Sequence, residues 1–407
     1  MIPVSRREFL SSALLLPTLL PQTSSARFIS AVPLGNPSGF PTPPFGQLLG
    51  SGLDARLFTD LSQLGDPQSA LPVTPADRFF VRTASPPEVA RTDPWIIRLG
   101  GLVQMPIELN LRDLEERLVA PGGRYLIECS GNSDQTNYGL MSVADWEGVP
   151  LGAILDRARP SAASYRILVS GVDDDVTPSR TSVPGASWIF SRGDLQRALL
   201  AVRMNGAPLP RDHGFPVRLV VPGWYGCACI KWVDRIDLVA DEAPPTKQMW
   251  EFAARTHQPF DSLRSLRAGP SASSKGDSPA GPDSLTAGGP VLARDFVPAV
   301  IDTAAMPVRV EQWLIGGRLA YRVIGIIWGG STPTNALSIR FRSNQAWVPV
   351  DDCPLPASTM MWSTWSHVWR PDAPGRYQIV LRVNDPAIRT RRLDLFFYVR
   401  EIVIEEV

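Results

Sequence analysis

The chain has 407 residues with 40 basic and 40 acidic side chains, so its formal net charge is zero; this excludes the basic footprint of a general nucleic-acid binder. At 44% hydrophobic it can bury sizeable cores, and its length suggests two or three domains. Forty prolines disfavour a long-helix bundle, and three histidines are too few for a histidine-rich metal site. No apolar run reaches the roughly 18–20 residues of a membrane span.

The first residues read as an address. Ser5-Arg6-Arg7-Glu8-Phe9-Leu10 precedes a short apolar stretch broken by Pro17, and Ser24-Ser25-Ala26 supplies small residues for a cut. The paired arginines followed by Phe-Leu predict a twin-arginine signal over residues 1–26, and with it periplasmic export of a folded, cofactor-loaded protein. Residues 27–77, rich in Pro and Gly, are expected to form an irregular arm.

Ordered structure should begin near Phe79-Phe80-Val81. Strands are expected at 95–99, 124–129, 165–169, 215–221 and 230–239. Helices are expected at 111–118, at 150–158 with proline in the first turn, and at 194–204 before Asn205-Gly206. This mixture suggests an α+β domain. Eighteen of the 23 residues from 268 to 290 are Gly, Pro, Ser or Ala, which is a linker composition. Beyond residue 300, strands at 319–328, 338–342, 377–383 and 393–399 predict a β-sandwich. Six of the twelve tryptophans lie between Trp313 and Trp369, where they are read as core.

The chain has no Gly-rich phosphate loop, no His-Glu-x-x-His and no Gly-x-Ser-x-Gly. It has no Cys-x-x-Cys-His either, so no covalent haem is expected. Chemistry-bearing residues gather in three places: the turn Cys129-Ser130-Gly131-Asn132, the run Arg211 to Arg218, and Gly226 to Trp232. A thiol at a strand end can reach a metal, although a lone buried cysteine is more often a core residue. His213, Arg218 and Lys231 together can hold an anion. Lys231 stands out because the chain has 37 arginines and only three lysines. Cys227 and Cys229 are read as buried thiols, since a disulfide across one residue is strained.

Cys129-Ser130-Gly131-Asn132, the run Arg211 to Arg218, Val220-Val221-Pro222-Gly223, Ile230-Lys231-Trp232 and the sequence Arg-Phe-Phe-Val-Arg-Thr at 78–83 resemble, in that combination, the molybdenum-cofactor domain of the sulfite oxidase family. The resemblance implies a molybdopterin-binding oxidoreductase domain over 78–260. It further implies a linker over 261–299 and an immunoglobulin-like dimerisation domain over 300–407, hence a homodimer. It makes Cys129 the protein thiolate on a single molybdenum, as suits a soft donor. It gives Phe80, Arg82, Asp173, His213, Arg218, Cys229, Ile230 and Lys231 to the molybdopterin. The implied chemistry is two-electron oxygen-atom transfer to or from a small oxo-substrate. Electrons would pass to a separate carrier such as a c-type cytochrome.

Three departures from the family pattern bear on substrate. Asp134 stands where an arginine is usual, Ala84 where a histidine is usual, and residues 251–258 offer Thr256 and His257 in place of a tyrosine. Arg82, Asp134 and His257 are therefore taken as the substrate-facing set, with a neutral or zwitterionic substrate and weak sulfite oxidation expected. A reductase of an S-oxide or N-oxide, and an inactive scaffold with a binding sandwich, are the alternatives.

Overall fold

The computed structural model describes residues 26–35, 44–64, 73–84, 94–117, 119–132, 138–175, 186–258, 291–395 and 398–407. The proposed signal, Asp134 and most of the expected linker lie outside these residues. Among the described residues no helix is long and apolar enough to cross a membrane. The protein is mostly β with few helices, built on four sheets.

Two five-stranded sheets make the cofactor-binding region. One runs Arg218–Val220, Leu199–Met204, Met141–Pro150 and Val119–Glu128, with Ala207–Pro208 paired to Leu199–Met204. The other runs Ile107–Asn110, Ile96–Gly101, Val233–Val239, Arg166–Gly171 and Ser187–Ser191; its single parallel pairing joins Ile96–Gly101 to Val233–Val239. A common core, including Trp146, Trp188 and Trp232, fills the space between them. The helices Leu111–Glu115 and Leu151–Arg157 form where expected, the first behind an Asn110/Asp113 capping box.

The helix expected over 194–204 is not there. Leu199–Met204 is an inner strand, with Leu199, Leu200, Ala201 and Val202 buried between neighbours on both sides. A continuous apolar run fits a buried strand as well as a buried helix, and pairing decides between them. The strand expected over 215–221 shortens to Arg218–Val220, and the next begins at Val233. The last strand is Arg400–Ile404, whereas residues 393–395 form a turn.

The remaining sheets form a sandwich. Ala26–Val32, Ala304–Ile315, Arg318–Trp328 and Ser363–Trp369 make one layer; Val348–Pro349, Leu337–Arg340, Gly375–Val383 and Arg400–Ile404 make the other. Side chains from both layers share one core. The long hairpin turns at Gly316-Gly317, both at positive φ (61° and 77°), as a two-residue turn between twisted strands requires. The arm expected to be irregular thus starts as a strand: Ala26–Val32 pairs antiparallel with Ala304–Ile315, with Ala26, Ser30 and Val32 half-buried. Residues 291–299, expected within the linker, are likewise ordered, with Gln258 bonded through its amide to both backbone groups of Val297.

Sandwich and cofactor region meet without a gap in the core. Leu126, Met141, Val143 and Tyr225 belong to the sandwich's apolar cluster. The outer edge of Val119–Glu128 is tied to the sandwich by the Leu126 N–H, which donates to Met360 C=O at 2.7 Å.

Candidate functional site

A cavity opens between the ends of these sheets. Phe80, Arg82, Cys129, Asp173, His213, Arg218, Cys229, Ile230 and Lys231, all nine residues given to the cofactor from sequence, line it together. Cys129 sits immediately after the strand Val119–Glu128. Its N–H donates to Leu140 C=O at 2.9 Å, its C=O accepts from Asn132 N–H at 2.8 Å, and its Sγ accepts from Gly131 N–H at 3.4 Å. Burial raises the thiol's pKa, opposed by Arg82, the Gly131 N–H, Arg255 and Arg56. Without a metal the sulfur therefore keeps its proton near pH 7, and a metal that binds must displace it.

Arg218 and Lys231 come together because their segments are stitched side by side: Leu219 N–H donates to Ile230 C=O at 2.7 Å and Val233 N–H to Val217 C=O at 2.9 Å. Arg218 is buried. Its Nη1 donates to His213 C=O and its Nη2 to Cys229 C=O, both at 3.1 Å, and the guanidinium lies 5.1 Å from the Trp146 ring centre. Its buried Nε has no hydrogen-bond partner. The Lys231 Nζ donates to Thr83 C=O and, at 3.0 Å, to Asp212 C=O. Burial first, and Arg218 second, lower the pKa of this ammonium to about 7.

His213 ends the 3-10 turn Arg211–His213, closed by Gly214 at φ 108°. A side chain on Gly214 would place Cβ 2.8 Å from Arg218 Cβ, so glycine is required there on two counts. His213 Nε2 lies 3.0 Å from Ala76 C=O, and burial pulls its pKa down to about 3. The ring is neutral, carries its proton on Nε2, and presents Nδ1 as an acceptor. His213 therefore takes its place beside Arg218 and Lys231 as a neutral group: stripped of water, imidazole gives up its charge where guanidinium does not.

The substrate-facing set changes more. Asp134 lies outside the described residues. Ala84 is buried in a small cluster with Ala55, Leu57 and Val81. His257 does not line the cavity; its Nε2 pairs with Asp302 at 3.3 Å, and Asp302 also holds Arg389. Thr256 is buried, with its hydroxyl donating to Phe252 C=O at 3.0 Å.

The structure supplies two arginines that sequence reasoning missed. Leu57 and Val81 exchange both backbone hydrogen bonds in an antiparallel bridge, which sets Arg56 opposite Arg82 on one face. Arg56 Nη1 donates to Arg82 C=O at 2.9 Å. Burial, then Arg82, lower the pKa of Arg56 to about 10, so it stays charged near pH 7. The third guanidinium, Arg255, stacks 5.7 Å from the ring of Phe252, a cavity-lining residue, and its charge reaches Arg82 and Cys129. Asp54 and Glu251 offset part of this positive field. No local motif marks Arg56; the bridge between Leu57 and Val81 sets it beside Arg82, which does line the cavity.

Comparisons with known proteins agree with this geometry. Residues 83–247 match the family model for the oxidoreductase molybdopterin binding domain. Sulfite oxidase of Gallus gallus is 29% identical over 197 residues, covering 44% of this chain and 42% of that protein. The mitochondrial sulfite oxidase of Mus musculus is 33% identical over 190 residues, covering 42% of this chain and 34% of that protein. Residues 83–247 thus form a molybdopterin-binding oxidoreductase domain similar to that of the sulfite oxidases. Similarity extends to the nitrate reductase [NADPH] of Mycosarcoma maydis, 30% identical over 196 residues, 41% of this chain and 20% of that protein. The match thus spans less than half of each of these sulfite oxidases and nitrate reductases. The sulfane dehydrogenase SoxCD from Paracoccus pantotrophus shares the fold at a TM-score of 0.56 and 16% identity, over 98% of this chain and 96% of that chain.

The cavity fits the molybdopterin that the matched domain is named for. A buried guanidinium with an unpartnered Nε and an ammonium held near neutrality suit an added phosphate, and a soft thiol faces the same space. Among the described residues no three His, Cys, Asp or Glu side chains cluster to hold a metal.

Proposed function

We propose that this protein is a molybdenum-molybdopterin oxidoreductase that catalyses two-electron oxygen-atom transfer on an anionic substrate. The observation that carries the reading is the convergence of Cys129 with Arg218, Lys231 and His213 on one cavity. When bound, the cofactor supplies a metal that changes oxidation level by two electrons and exchanges an oxygen atom with substrate. Cys129 holds the metal as thiolate. Arg218 and Lys231 neutralise the phosphate, His213 Nδ1 accepts from the pterin, and the Asp173 carboxylate accepts from its N–H edge.

Arg56, Arg82 and Arg255 form the substrate's approach. The guanidinium groups of Arg56, Arg82 and Arg255, only partly offset by Asp54 and Glu251, support an anion, against the neutral or zwitterionic substrate that Asp134 and Ala84 suggest from sequence. Sulfite and nitrate, for which the relatives are named, are both anions. The nitrate reductases also favour a second reading, the same site run in the reductive direction on an oxidised anion. Turnover with ferricyanide as acceptor, against turnover with reduced viologen as donor, separates the two.

The twin-arginine motif supports export to the periplasm, and electrons would pass to a separate carrier such as a c-type cytochrome. The two-layered tail supports an immunoglobulin-like domain that pairs two copies of the chain, and light scattering of the full chain at micromolar concentration checks the pairing. The central test is Cys129→Ser. It should keep the fold, lose turnover and lose the sulfur-to-metal absorption band, because an alkoxide is a poorer soft donor. Normal activity and spectrum in that variant would falsify the assignment, and so would protein from a molybdenum-supplied host that lacks molybdenum.

A further inference from the structure

Glu128 directly precedes Cys129 and has no exposed surface. Its carboxylate is gripped from the sandwich: Arg391 Nη1 donates to Oε1 and Nη2 to Oε2, both at 2.7 Å, and Trp328 Nε1–H donates to Oε2 at 2.8 Å. Asn132, three residues beyond Cys129, donates its Nδ2–H to Glu128 Oε1 at 2.9 Å and accepts Leu140 N–H at Oδ1, also at 2.9 Å. Arg391 is itself fixed, donating to Tyr398 Oη at 2.8 Å and lying 5.3 Å from the Tyr225 ring centre.

The Cys129 turn is thus clamped on both flanks by one buried network, and its anchor is in another domain. An ion pair this deep is a weak source of stability, since desolvation offsets most of its attraction, and apolar residues would fill the seam as well. What a bidentate, fully bonded carboxylate adds is direction: it permits one placement of the strand end. Leu126, two residues earlier, is tied to Met360 of the same domain.

We propose that the C-terminal sandwich is a working part of the metal centre, with Arg391 and Trp328 as positioning residues that fix the Cys129 sulfur through Glu128 and Asn132. The proposal rests on the reading of Cys129 as metal ligand for its functional meaning, but the positioning itself is measurable without metal. The experiment uses the full chain carrying Arg391→Lys, which keeps the buried charge and loses the fork, or Trp328→Phe, which keeps the ring and loses the donor. Cofactor-free protein is alkylated with iodoacetamide and each cysteine is followed by mass spectrometry, while cofactor-loaded protein is read by its sulfur-to-metal absorption band. Both variants should fold. Cys129 should alkylate about tenfold faster in Arg391→Lys and a few-fold faster in Trp328→Phe, with Cys353 unchanged. The band should shift in the loaded variants. A wild-type Cys129 rate in both variants overturns the proposal, and so does an equal acceleration of Cys129 and Cys353, which would mean general loosening. If instead the Cys129 rate responds but Cys129→Ser keeps its band, the ligand assignment fails and the clamp stands.

Discussion

Lys231 occupies a position that disfavours its own charge. Its pKa falls from the ordinary lysine range to about 7 because burial and Arg218 both oppose the ammonium. Between about pH 7 and the ordinary lysine value the unfolded chain binds a proton that the folded chain does not, so stability rises with pH through that window. The penalty is therefore full below pH 7 and fades above it. Lys231→Met should raise the unfolding temperature of cofactor-free protein at pH 6–7, with a gain that shrinks by pH 10, and should lower molybdenum occupancy. Calorimetry across pH and elemental analysis check the two halves. Arg56 makes the complementary case at the approach. Arg56→Ala should raise KM for sulfite, used as the probe anion, by about tenfold with a smaller change in kcat, because a charge-assisted contact of about 1.5–3 kcal/mol is lost mainly from binding. An unchanged KM would remove Arg56 from the substrate path.

Single elements set the precision of the cofactor wall. Gly214 closes the turn that carries His213 and packs against Arg218 at a distance no Cβ tolerates. Gly214→Ala should leave most of the fold intact and reduce cofactor loading by displacing Arg218; occupancy measured at equal protein concentration decides this. The strand Leu199–Met204 serves the fold itself. Leu200 is fully buried between Val149 and Leu219 in the pairing register. Leu200→Ala should cost about 2–5 kcal/mol in denaturant unfolding of the cofactor-free chain. This is also the element where sequence misled: Leu-Leu-Ala is favourable helix material, and burial between two strands overrode that preference.

Across the whole molecule, the sandwich and the cofactor region behave as one body at their seam. Leu126, Met141 and Tyr225 lie in the sandwich's core cluster, and Glu128 is bonded to Arg391. A chain truncated near residue 265 should expose these apolar side chains together with an unpaired buried carboxylate, and should aggregate or unfold well below the full chain. A soluble, cooperatively folding truncated chain would show the seam to be dispensable.

The sequence by itself determined the local chemistry: a thiol on a strand-end turn, a lysine and an arginine spaced along adjoining segments, and a Gly/Pro/Ser-rich break before a β-rich tail. These are legible because turn residues, charge and alternation act over a few residues. The nine residues that the resemblance assigns to the cofactor line one cavity. Only tertiary structure decided what depends on long-range pairing. The bridge between Leu57 and Val81 sets Arg56 beside the cavity-lining Arg82, and His257 is paired with Asp302 rather than lining the cavity. The first described strand, Ala26–Val32, joins a sheet nearly 300 residues further along the chain. Glu128 looked like an ordinary strand residue, and its partner Arg391 lies 263 positions away. No local pattern encodes such a pair, because the low dielectric that makes it directional exists only once both domains have closed around it.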